Sequence, residues 1–119
     1  MANEEVKRWL RLAEDDLKSA QVNFDNQQYY ACVFLSHQSA EKALKAALIK
    51  KTGELLKIHD LVFLGEKVGA PDAILERCDR LNGVYIDARY GDIGGKSPSE
   101  KFDRTLSRDF LNMSKEVVM

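Results

Sequence analysis

Three observations predict an all-α, antiparallel up-and-down four-helix bundle with an additional short helix. Apolar residues recur at steps of three and four along nearly the whole chain. No segment alternates apolar and polar residues over the length that a half-buried strand needs. The breaks between periodic stretches are short and rich in turn formers: "NFDNQQ", Thr52-Gly53 and Gly69-Ala70-Pro71. With 119 residues, 45% of them apolar and 31% charged, residues 1–119 have the size and balance of a single domain whose core needs no staple.

The first helix is expected from about Glu4 to about Phe24. Val6, Trp9 or Leu10, Ala13, Leu17, Ala20 and Phe24 form its buried stripe. The second begins near Gln27 and runs to about Lys51, where Gly53 suits a left-handed C-cap. It is apolar on more than one side. Tyr30, Phe34, Leu44 and Leu48 supply bulk, while Ser36, Ala40, Ala43 and Ala47 make a small-residue strip that another backbone can approach closely. Such a helix belongs at the centre of a bundle or against a second subunit.

"HDLVFLGEKVG" gives a short third helix, with Leu61, Leu64 or Gly65, and Val68 facing in, stopped by Gly69-Ala70-Pro71. The fourth starts near Asp72, carries Ile74, Cys78, Leu81, Tyr85 and Ala88 on its inner stripe, and ends around "ARYGDIGG". Ser97-Pro98-Ser99-Glu100 combines a capping serine, a first-turn proline and a glutamate three residues after the cap, which announces the last helix. Phe102, Leu106, Phe110, Met113 and Val117 then turn to the core.

Charge and cysteine content narrow the function classes. A net charge of −1 gives no global field for nucleic acid or anionic lipid, and DNA is not an expected partner. Between Gln38 and Ile58, five lysines (Lys42, Lys45, Lys50, Lys51, Lys57) face two glutamates (Glu41, Glu54), a mild local basic surplus. Cys32 and Cys78 lie among apolar neighbours, as buried free thiols do in a reducing compartment. Charges run through "MANEEVKRWLRLAEDDL", so no signal-peptide core is present there, and the longest apolar run, Tyr29 to Leu35, is too short to span a bilayer. A soluble cytoplasmic protein is the expectation.

Catalytic signatures are sparse. "GDIGGK" lacks the spacing of a phosphate loop and follows no strand. The two histidines, His37 and His59, stand on different elements, so no metal pair is expected and no cofactor is implied. Four features remain. Gln38, Glu41, Lys42 and Lys45 share one face of the second helix, either as a solvated stripe of helical ion pairs or as a groove for an anion. His59, followed by Asp60 at the mouth of the third helix, is either a helix-start residue bonded to backbone or a group that moves protons or contacts phosphate. In "YIDARYGD", Arg89 and Tyr90 suit phosphate contact and base stacking, or a salt bridge from Arg89 to Asp92 or Glu41 that locks the loop. His37, mid-helix, reads as a core or interface residue.

Taken together, "AEDDLKSA", "SHQSAEKALKAALI", His59-Asp60-Leu61 and "YIDARYGD" resemble the HEPN domain family, over about Leu12 to Asp92. The Gln-x-x-Glu-Lys-x-x-Lys core at Gln38, Glu41, Lys42 and Lys45 is fairly specific when the later His and Arg-Tyr accompany it. The resemblance implies a prokaryotic homodimer, often paired with a minimal nucleotidyltransferase in toxin–antitoxin-like systems. It implies either a nucleotide- or RNA-binding module or a metal-independent ribonuclease. Nuclease members carry an arginine followed four to six residues later by a histidine. Here Arg89 is followed by Tyr-Gly-Asp-Ile-Gly-Gly-Lys, and no histidine occurs after His59. The family's Arg-Tyr-Pro is also changed to Arg-Tyr-Gly. The ligand-contact set that carries over is therefore Gln38, Glu41, Lys42, Lys45, His59, Arg89 and Tyr90, with no catalytic residue assigned. The alternatives are a ribonuclease that uses His59 in a different constellation, and a purely structural dimerisation module whose polar stripe fixes the register.

Overall fold

In the computed structural model the backbone of residues 2–90 and 103–118 is described, with the side chains of residues 3–83 and 103–118. Among the described residues the helical periodicity becomes five helices and no strand. They are α1 (Ala2–Asp25), α2 (Tyr29–Thr52), α3 (Leu61–Lys67), α4 (Asp72–Tyr90) and α5 (Arg104–Val118). Termini follow local chemistry. Gly53 takes the left-handed conformation (φ 79°) and its N–H closes onto the Ile49 carbonyl at 2.8 Å, capping α2. Asp60 caps α3 by accepting the N–H groups of Val62 and Phe63 at 3.0 and 3.2 Å. Asp103 caps α5, its carboxylate accepting the Leu106 N–H at 2.8 Å. The capping box expected at Ser97–Glu100 lies outside the described residues, as do the side chains of Tyr85, Ala88 and Phe102.

Contacts between helices give the topology. Ser39 of α2 reaches Ala13 of α1, and Lys45 reaches Trp9, so α1 and α2 run in opposite directions across their short link. Arg77 meets Glu116 and Arg80 meets Phe110, which makes α4 antiparallel to α5. Ser107 touches Tyr29 while Ser114 touches Ser36, so α2 and α5 are parallel. Up, down, up, down is the result, with the parallel α2 and α5 in direct contact and α2 touching all four other helices.

The central position expected for α2 is therefore observed. Val33, Ala40, Leu44 and Leu48 of α2 join Leu61, Leu64, Cys78, Leu81, Phe110 and Met113 in the main core. Ala20, Cys32 and Leu111 make a second, smaller one between α1, α2 and α5. At Ser36 of the small-residue strip α5 closes in, with Ser114 Oγ donating to the Ser36 carbonyl, and Ser39, outside the strip, donates its Oγ hydrogen to the Ala13 carbonyl of α1, each at 2.6 Å. Further along, Ala43 and Ala47 line an apolar groove of about 430 Å³ with Val6, Leu10 and Ile74. On α1, Trp9 takes the half-buried position and Leu10 stays 38% exposed. Both cysteines are free and fully buried, and burial pushes each thiol up to about 11, which leaves them unreactive.

Gly53 has open space around its α-carbon, so replacing it tests backbone conformation alone. Gly53→Ala is expected to lower stability by about 1 kcal/mol, measured by urea unfolding, because alanine resists a positive φ.

Candidate functional site

Helical spacing sets Glu41 and Lys45 one turn apart on α2. Packing removes both from water: Glu41 is 5% exposed and Lys45 6%. The ammonium lies 3.0 Å from Glu41 Oε2 and 5.8 Å above the Trp9 ring of α1. The other carboxylate oxygen, Oε1, is 2.9 Å from His59 Nδ1. A carboxylate only accepts, so Nδ1 carries the hydrogen of this bond. The His59 side chain is 57% exposed. One end of the seam is thus sealed inside the bundle and the other opens at the surface through an imidazole.

His59 is held there by its neighbours. Asp60 begins α3, and its Oδ1 also accepts the Asn82 Nδ2 of α4 at 2.8 Å. The Asn82 Oδ1 accepts the Leu61 N–H at 2.8 Å. Lys42 turns the other way along α2 and pairs with Asp16 of α1 at 2.6 Å. Gln38 is half-buried, its Oε1 3.4 Å from His37 Nδ1.

Four predicted residues, Glu41, Lys45, His59 and Lys42, therefore belong to polar contacts that tie α2 to α1 and to the start of α3. Gln38 lies beside them on the same helix face. Arg89 and Tyr90 are the last two residues of α4, and their side chains lie outside the described residues, as does Asp92. Two contributors, Asp16 and Asn82, were not singled out from the sequence, and Trp9 was expected only as a core residue of α1. Asp16 sits inside the "AEDDLKSA" stretch, yet nothing in one-dimensional spacing says which of its acids meets Lys42. Asn82 has no sequence signal, since a lone asparagine on a helix is ordinary.

The electrostatics are those of a compensated seam rather than an open cationic groove. Lys42 and Lys45 each face a carboxylate, so neither adds unbalanced positive charge. The exposed basic surface near this helix end is left to Lys50, Lys51 and Lys57. His37, fully buried one turn before Glu41, is pushed down to about 4. Burial is the main cause, opposed by the nearby Glu41 carboxylate and reinforced by His59 and Lys45. Among the described residues no three His, Cys, Asp or Glu side chains gather as a metal ion requires.

Two outcomes follow. Glu41→Ala strands the Lys45 ammonium in the interior and is expected to cost roughly 3–5 kcal/mol in chemical unfolding. Asp16→Ala, which leaves Lys42 able to reach water, is expected to cost about 1 kcal/mol or less. His37 gives a pH dependence of definite sign. Its native value lies below the ordinary 6.5, so the unfolded chain binds a proton that the native chain refuses. Stability is complete above about pH 6.5 and declines as pH falls toward 4, by about 1.4 kcal/mol per unit and about 3 kcal/mol in all. Urea titrations between about pH 7 and pH 5 should show this slope in the wild type and a flatter one in His37→Gln.

The sequence matches the HEPN domain over residues 6–119. Among curated proteins no match is found. Among solved structures the fold is similar to TT1696 from Thermus thermophilus, with a TM-score of 0.86 and 24% identity over 95% of this chain and 92% of that one. It is also similar to ST0689, an archaeal HEPN homologue, with a TM-score of 0.81 and 28% identity over 95% of this chain and 91% of the other. No helix among the described residues is long and apolar enough to cross a membrane. A polar seam on the central helix of an up-and-down bundle, the match over nearly the whole sequence and these structural likenesses agree: the chain belongs to the HEPN domain family.

Proposed function

We propose that this chain is a homodimeric, cytoplasmic HEPN module that binds a nucleotide or RNA and pairs with a minimal nucleotidyltransferase in a toxin–antitoxin-like system. The observation that carries the ligand half is the buried Glu41 carboxylate, which anchors Lys45 inside the bundle and presents His59 at its surface. An imidazole held by a buried carboxylate is preorganised: it contacts a phosphate oxygen or a base edge without first being ordered. The lysines of the stripe act in this reading as support. Their charges are matched by Asp16 and Glu41, so phosphate contact falls chiefly to His59 and Arg89, with Tyr90 stacking on a base. Absence of the Arg…His spacing after Arg89 argues against family-type RNA cleavage.

A second reading has its own support. Glu41 and His59 form the carboxylate–imidazole pair that orients a general base, which fits a ribonuclease working without the usual histidine. The two are separated by experiment. Adding nucleotides to the purified protein is expected to raise its melting temperature, and His59→Ala or Arg89→Ala to abolish that rise. No rise with any nucleotide removes the ligand half and leaves the seam as a register device. Cleavage of labelled RNA that survives chelator and is lost in His59→Ala would establish the enzymatic reading instead.

A further inference from the structure

His59 lies on the non-helical stretch 53–60 between α2 and α3, most of whose residues are exposed. The bond to Glu41 has to compete there with water and with the freedom of the loop. Leu56 packs against the main core, and the end of the loop meets an amide of α4. Asn82 uses both ends of its side chain on consecutive residues after His59: Nδ2 donates to Asp60 Oδ1 and Oδ1 accepts the Leu61 N–H, each at 2.8 Å. The α3 cap alone would tie Asp60 only to its own helix. Through Asn82 the same carboxylate is tied to α4, while Leu61, fully buried, plugs into the core. The loop end is therefore clamped between α2, through Glu41, and α4, through Asn82. A slip of one residue would displace the His59 α-carbon by about 3.8 Å, more than the 2.9 Å bond to Glu41 can tolerate.

We propose that Asn82 is the positioning residue for His59, so that α4 sets where the imidazole stands. This rests on the reading of His59 as a ligand contact. Asn82 touches no ligand itself; it acts through Asp60 and the Leu61 amide. The role is specific to a planar amide, which donates and accepts at once. Aspartate keeps the acceptor for Leu61 but replaces the donor with a second carboxylate against Asp60, a like-charge contact.

Long-range nitrogen NMR of the two imidazoles at mildly alkaline pH reads the geometry directly, with His59→Gln distinguishing His59 from His37. In the wild type His59 should hold a single tautomer, hydrogen on Nδ1. Asn82→Ala and the near-isosteric Asn82→Asp should both lose that single state and weaken nucleotide affinity roughly tenfold, about the worth of one net hydrogen bond. Asp103→Ala removes the α5 cap at a comparable cost in stability and should leave the His59 signal unchanged, which separates positioning from general loosening. A folded Asn82→Asp protein with the wild-type His59 tautomer would overturn the proposal. Loss of the tautomer in a protein that binds no nucleotide would sink the ligand reading and leave the positioning role standing. Unaltered nucleotide binding together with an unaltered His59 tautomer in both Asn82 variants would overturn the positioning role and leave the ligand reading standing.

Discussion

The ion pair between Glu41 and Lys45 is the constraint around which the rest of the bundle is arranged. Both groups are more than nine-tenths removed from water, where desolvation costs each ion several kcal/mol unless its partners are complete. A carboxylate has two oxygens to satisfy, and here each has its own donor: Lys45 from the same helix and His59 from the α2–α3 connection. The ammonium also lies over the Trp9 ring of α1. Three elements must be in register at once for this arrangement to hold. A bundle of alternative register would leave a charge stranded in its core, so the seam specifies one packing more sharply than apolar contacts do.

The small residues of α2 serve the same end by another route. Ser36, Ser39 and Ala40 are fully buried, and serine hydroxyls cross the α1–α2 and α2–α5 contacts to backbone carbonyls. Bonds of that kind form only where helices approach closely, and bulky side chains at these positions would prevent it. Bulk is supplied instead by Leu44 and Leu48 on the side facing α3, α4 and α5, where they share the main core with Phe110 of α5. Polar seam and serine contacts together explain why a helix surrounded on nearly every side still carries so many polar residues.

For function, the consequence is that the charges most visible in the sequence are consumed by the fold. Lys42 and Lys45 are matched by Asp16 and Glu41, and what the seam offers outward is one imidazole. Under the proposed function a ligand would meet an oriented hydrogen-bonding group rather than a cationic field, in keeping with a chain whose net charge is −1. Asn82 extends the logic outward from the core: the loop that carries His59 is ordered by α4 as well as by α2.

By itself the sequence determined the elements and their stops. Helical period, Gly53 as an αL cap, Asp60 before α3 and Gly69-Ala70-Pro71 after it are local features, decided by backbone conformation and by residues a turn apart. It also marked the polar face of α2 and His59, because a charged stripe on an otherwise apolar helix stands out from its surroundings. Whether that stripe was solvated or buried was not legible. Spacing gives the face on which Glu41 and Lys45 lie, whereas burial depends on what packs over that face, and Trp9, Asp16 and His59 come from positions 18 to 36 residues away. Asn82 was invisible for the same reason, its two partners lying more than twenty residues earlier in the chain. Only the tertiary structure could decide these pairings, since desolvation and the choice of hydrogen-bond partner are properties of neighbours in space rather than in sequence.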